Sequence, residues 1–144
     1  MRKVPDEKII KKIYQWVAYA EADYKAANAL LKLSDSSYHI AAFHAQQCAE
    51  KYLKGFLVLC GIKFPYTHNI STLLELCADQ GTDWDKTLED AEILTDYALT
   101  ARYPGEDEPV LYEDALEAIE LAAKVRQTVC DELEKCGIKI NTHS

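Results

Sequence analysis

Apolar residues recur every three or four positions along most of this 144-residue chain, and no stretch alternates Val, Ile or Thr with polar residues as a half-buried strand does. That spacing restricts the chain to helices that each bury one stripe. In 5–33 the stripe is Ile9, Ile13, Trp16, Ala20, Ala27 and Leu30 or Leu31, and 34-SDSS-37 ends the segment and offers caps for the next. A second helix is predicted over 37–60 and stops at Gly61, with 64-FPYTH-68 as a loop. A short third helix fits 69–81, capped by Asn69 or Ser71 and closed by Gly81. A fourth is predicted over 85–102, with Leu88, Ala91, Leu94, Ala98 and Ala101 on one face. The fifth, 112–136, opens on Glu113, Asp114 and Glu117, which suit the positive end of the helix dipole, and ends at Gly137.

Four long helices with short connections cannot bury their stripes singly, so the expected fold is all-α: an antiparallel up-and-down four-helix bundle, the short helix lying across one end. Half of the residues are apolar (49%), enough for one core, and the expectation is a single domain over 1–137 followed by a loose tail over 138–144.

Several function classes fall away on composition. The net charge of −8 argues against a surface that grips nucleic acid along its whole length, although a local basic patch remains compatible with it. No apolar run reaches the ~20 residues that cross a bilayer, and the charged, amphipathic start MRKVPDEKIIKK does not resemble a signal peptide, so a cytoplasmic protein without membrane contact is expected. Cys48, Cys60, Cys77, Cys130 and Cys136 are odd in number and never two residues apart, which reads as small buried hydrophobes. No glutamate is followed three residues later by histidine, His39 and His44 lie on different faces, and the glycines are scattered as punctuation. A di-iron centre, a zinc site and a phosphate loop are therefore not expected, and no metal or cofactor is.

The unusual chemistry lies on the second helix. On a helical wheel, 40-IAAFHAQQCAEKYLKGFLVLC-60 puts Ala42, Ala45, Ala49, Leu53, Phe56, Leu57 and Cys60 on a core side. Opposite run His44, Gln47 and Lys51, with Lys54 beside them and Phe43 and Glu50 on the flank. A solvated face is the plain reading of such a stripe, and a structural histidine that of His44. The sharper reading is a set of donors for a base or phosphate, with His44 able to move a proton. A second candidate lies in 97-YALTARYPGEDEP-109. Arg102 there suits the last turn of a helix and could pair with Asp96 or the 106-EDE-108 carboxylates. Tyr103 must be extended before Pro104, so its ring either packs on the bundle end or offers a stacking face to a base.

Three separated segments, 41-AAFHAQQCAEKYLKGFLVLCG-61, 67-THNI-70 and 101-ARYP-104, make the chain resemble the HEPN family, the higher eukaryotes and prokaryotes nucleotide-binding domain, over about residues 18–134. The resemblance implies an all-α bundle, usually a homodimer, often paired with a minimal nucleotidyltransferase as a toxin–antitoxin-like system. Many members are metal-independent ribonucleases with an arginine followed four to six residues later by histidine. Here those positions after Arg102 are Glu106, Asp107 and Glu108, and neither Arg2 nor Arg126 has a histidine at that spacing. Three carboxylates would repel an RNA phosphate, so the resemblance implies a binding and interaction protein rather than the standard nuclease. Carried over residue by residue, its candidate ligand contacts are His44, Gln47, Lys51, His68, Arg102 and Tyr103. The expected partners are a second copy of the chain, a minimal nucleotidyltransferase and a nucleotide, with RNA less favoured. The alternatives are a ribonuclease toxin with a non-standard site, His44 or His68 with Arg102, and a helical adaptor without a small ligand.

Overall fold

The structure is a computed structural model that describes residues 5–33, 37–98 and 109–141. Its elements are α1 (Glu7–Leu31), α2 (Tyr38–Leu59), α3 (Ile70–Ala78), α4 (Trp84–Thr87), a 3-10 helix (Glu89–Tyr97) and α5 (Tyr112–Lys135). No strand occurs among the described residues. The fold is the all-α bundle that the apolar spacing demands, with α2 packed against α1, α5, α3 and the 3-10 helix.

Local sequence sets the helix limits. The Asp6 side chain accepts a hydrogen bond from the Ile9 amide at 3.0 Å and starts α1, and Asn69 does the same for α3 through the Thr72 amide at 3.0 Å. At the start of α5 the Leu111 amide donates to the Asp114 carboxylate at 2.9 Å. Gly61 and Gly137 have φ of 71° and 86°, a left-handed backbone that favours glycine. Each reverses the chain in the same way: Ile62 N bonds Leu57 O and Ile138 N bonds Leu133 O, both at 3.0 Å. The second reversal carries Ile138 into the core at 2% exposure, with Ile140 packed beside it. Packing thus continues past the boundary at 137 expected from sequence.

The fourth leg differs from the predicted helix over 85–102. One α-turn, α4, gives way at Leu88 to the 3-10 helix, and residues 99–108 lie outside the described residues. The reason is visible in the spacing. Leu88, Ala91 and Leu94 are buried and Tyr97 packs on the core, a repeat of three that matches the three residues per turn of a 3-10 helix better than the 3.6 of an α-helix. The Thr95 hydroxyl accepts from the Ile70 amide at 3.0 Å and ties this leg to the start of α3.

Alanines at 41, 42, 45 and 49 are fully buried and let neighbouring helices approach α2 closely. Cys48, Cys77, Cys130 and Cys136 are buried, Cys60 is half-buried, and burial pushes the Cys48 thiol well up.

One polar tie crosses this core and joins three helices. Arg126 of α5 grips Glu21 of α1 with both arms, Nε to Oε2 at 2.6 Å and Nη2 to Oε1 at 2.9 Å, while the Tyr52 hydroxyl of α2 donates to the same carboxylate. The guanidinium lies 4.4 Å from the centre of the Tyr24 ring. Burial alone would push the Glu21 carboxyl up, but hydrogen bonds from Arg126 and Tyr52 more than offset it and hold it below its ordinary 4.5. A carboxyl with a folded value below its unfolded one contributes stability above the unfolded value and loses it as pH falls through the folded one. Arg126→Ala is therefore expected to destabilise the fold at pH 7 by roughly 2–3 kcal/mol, because it strands a largely buried carboxylate. In urea titrations the gap between wild type and variant should narrow as pH drops from 7 to below about 4.

Candidate functional site

Helix α1 carries its core stripe at Ile13, Val17, Ala20 and Ala27, and Asp23 stands among them where the spacing would place an apolar residue. The exception is resolved by α2. Asp23 Oδ1 lies 2.8 Å from His44 Nδ1 and its Oδ2 accepts from Lys51 Nζ at 2.6 Å. His44 and Lys51 are two helical turns apart, and their side chains converge on the one carboxylate.

A second carboxylate does the same on the neighbouring face. Glu50 is only 4% exposed and Lys54 only 5%, and they meet at 2.8 Å through Glu50 Oε2. The other oxygen, Oε1, takes His68 Nδ1 at 2.8 Å and Gln46 Nε2 at 3.1 Å. Gln46, fully buried, also donates to the His68 backbone carbonyl at 2.9 Å and accepts from Gln47 Nε2 at 2.6 Å. The Lys54 ammonium is held 5.9 Å from the Trp16 ring and 5.6 Å from Phe64, rings that meet edge to face at a centroid distance of 6.0 Å. Burial would push the Glu50 carboxyl up, but hydrogen bonds from Lys54, His68 and Gln46 outweigh it and hold it below the usual carboxylate range. No buried side-chain nitrogen or oxygen among the described residues lacks a partner.

The two clusters adjoin, because Glu50 and Lys51 are successive residues, ~1.5 Å apart along the axis and ~100° around it. Together they form one polar band on α2, with α1 on one side and the 62–69 connection on the other. Two lysines balance two carboxylates, and the two imidazoles are additional. An ionised carboxylate only accepts, so in each histidine pair Nδ1 carries the bonding proton. Neither Nε2 has a hydrogen-bond partner among the described residues, and both rings are partly exposed. Each is thereby oriented to donate to an anion when protonated or to accept a proton when neutral. Among the described residues no group of three His, Cys, Asp or Glu side chains could hold a metal ion. No helix among them is long and apolar enough to cross a membrane.

Of the residues singled out from sequence, the structure brings His44, Gln47, Lys51 and His68 into this band. Arg102 and Tyr103, with the 106-EDE-108 carboxylates, lie outside the described residues. Within the stripe His44, Gln47 and Lys51 are half-buried, whereas Lys54 and Glu50 beside them are buried rather than solvated. Sequence reasoning missed Asp23 and Gln46, although both left a signal as polar residues on otherwise apolar helical faces. Glu21 and Arg126 left none, being 105 positions apart.

Comparison with known proteins places this architecture. The family model described as the HEPN domain matches residues 13–134, which take in α2 to the 3-10 helix whole, most of α1 and all of α5 but its last residue. The candidate toxin MJ1304 of Methanocaldococcus jannaschii is 30% identical in a match spanning 90% of this chain and 94% of that protein. The crystal structure of ST0689, an archaeal HEPN homologue, superposes with a TM-score of 0.67 at 30% identity, covering 84% of this chain and 97% of that one. A family match over all the helices, joined by two relatives spanned almost end to end, makes this chain a member of the HEPN domain family.

Proposed function

We propose that this chain is the HEPN component of a toxin–antitoxin-like pair whose partner is a minimal nucleotidyltransferase, and that the band on α2 binds the phosphate of a nucleotide or nucleic acid. The carrying observation is that Lys51 and two imidazoles are held by carboxylates at one end, with both Nε2 atoms left for a ligand, in a chain of net charge −8. Global charge repels a polyanion, but over a distance beyond about 8–10 Å salt screens that repulsion, and the local set decides. With both carboxylates neutralised by lysines, each protonated imidazole adds one uncompensated positive charge next to donors already oriented for an anion. The similarity to a candidate toxin supports the two-component reading.

Calorimetry with nucleoside triphosphates tests the phosphate part. Binding is expected in the micromolar to millimolar range, weakened about tenfold or more, roughly 1.4 kcal/mol, by Lys51→Ala. Absence of heat at millimolar ligand would refute it. For the partner, co-expression of the tagged chain with a minimal nucleotidyltransferase should yield a co-purified complex built on a homodimer, and monomeric protein eluting alone would refute that part.

A metal-independent ribonuclease is the second reading, favoured by the two carboxylate–imidazole pairs, which resemble an acid and a base held ready. It requires RNA cleavage that survives a chelator and is abolished by His44→Ala or His68→Ala. RNA left intact by concentrated wild-type protein would exclude it.

A further inference from the structure

Of the large apolar and aromatic side chains in the described residues, Tyr66 is the most exposed at 92%, and Tyr19 follows at 64%. Single exposed rings need no explanation by themselves. These two, however, both stand against the groups of the α2 band. The Tyr66 ring meets His68 edge to face, with centroids 5.5 Å apart and planes at 71°, an arrangement that leaves a tyrosine face open. Lys51 Nζ lies 5.9 Å from the centre of the Tyr19 ring. One ring projects from the 62–69 connection and the other from α1, so the band is flanked by an aromatic face on each side. At both places an aromatic surface adjoins a phosphate donor, which is the pairing that a nucleotide, with its flat base and charged phosphate, satisfies.

We infer that Tyr66 and Tyr19 are base-stacking residues, so that the site takes a nucleobase together with its phosphate and, when the ligand is a chain, single-stranded RNA with one base on each side of the band. The inference rests on the phosphate reading above and adds the requirement for a base. Neither ring is needed for the core, because a tyrosine left this open to water gains little from folding. Stacking on such a ring contributes between about fivefold and a hundredfold in affinity, largely without regard to sequence. A duplex hides its base faces and is a poor ligand for such a site.

The test compares four ligands on the full chain: inorganic triphosphate, ATP, a single-stranded RNA hexamer and the same hexamer in a duplex. ATP and the single strand should bind at least fivefold more tightly than triphosphate and duplex respectively. Tyr66→Ala should lower the affinity for base-bearing ligands by at least fivefold with triphosphate binding and melting temperature unchanged, while Tyr66→Phe retains it. The two sources of ligand separate on Tyr19: if both Tyr66→Ala and Tyr19→Ala weaken the single strand but only one weakens ATP, the ligand is a strand. Should triphosphate bind as well as ATP and the strand, with both tyrosine variants silent, the inference is overturned and the phosphate reading stands. If triphosphate, ATP and the strand all fail to bind, both fall.

Discussion

Helix α2 is enclosed by α1, α5, α3 and the 3-10 helix, so any charge it carries has to be neutralised inside the bundle. An unpaired ionised group in such a place would cost several kcal/mol, more than most single contacts of a domain this size contribute. The consequence reaches into every neighbour. Glu50 is met by Lys54 one turn on, by Gln46 one turn back and by His68 from the connection to α3, while Lys51 and His44 draw Asp23 out of α1's apolar stripe. Tyr52 on the opposite side needs Glu21, and Glu21 needs Arg126 of α5. Charge neutralisation on one helix therefore fixes the register of α1, the course of the 62–69 connection and the rotation of α5. The alanine face sets how close the helices come, but alanine against alanine is tolerant of sliding by a turn. The polar pairs are not.

The three clusters do different work although their chemistry is alike. Glu21, Tyr52 and Arg126 bond one another, and the guanidinium also lies over the Tyr24 ring, so that set is a fastening. Around Glu50 the innermost members, Lys54 and Gln46, are also consumed by internal bonds. Only at the rim, at His44, Lys51 and His68, does bonding capacity reach the surface. A buried set that holds the carboxylate and a rim set held by the carboxylate is the division expected where rigid support and ligand contact must share one helix.

Much of this was legible in the sequence, and the losses have specific causes. The helical period, the stops at Gly61 and Gly137 and the Asn69 cap follow from local chemistry, which acts over a few residues and can be read there. The fourth leg departs from the expected α-helix because Leu88, Ala91 and Leu94 fit one face of a short α-helix and the three-residue repeat of a 3-10 helix alike, and packing against α2 and α3 decides between them. His44, Gln47, Lys51 and His68 were found as unusual polar choices, but their partners were not. Asp23 and Gln46 should have been conspicuous as polar residues at apolar positions, since a buried polar group announces a partner elsewhere. Which partner it has depends on the tertiary arrangement, and the Glu21 to Arg126 pair spans α1 to α5 with nothing in between to signal it.

That the histidines have structural partners does not reduce their capacity to meet a ligand. A histidine free at both nitrogens samples several rotamers and loses that freedom on binding, which offsets part of each hydrogen bond gained. In this chain Asp23 and Glu50 have already fixed His44 and His68 through Nδ1, so the orientation of Nε2 is settled before a ligand arrives. The same bonds that satisfy buried charges on α2 therefore preorganise its rim, and a substitution at Asp23 or Glu50 would disturb fold and site together. A change at Tyr66 or in the Nε2 environment would disturb the site alone, and that contrast separates ligand contact from support in this bundle.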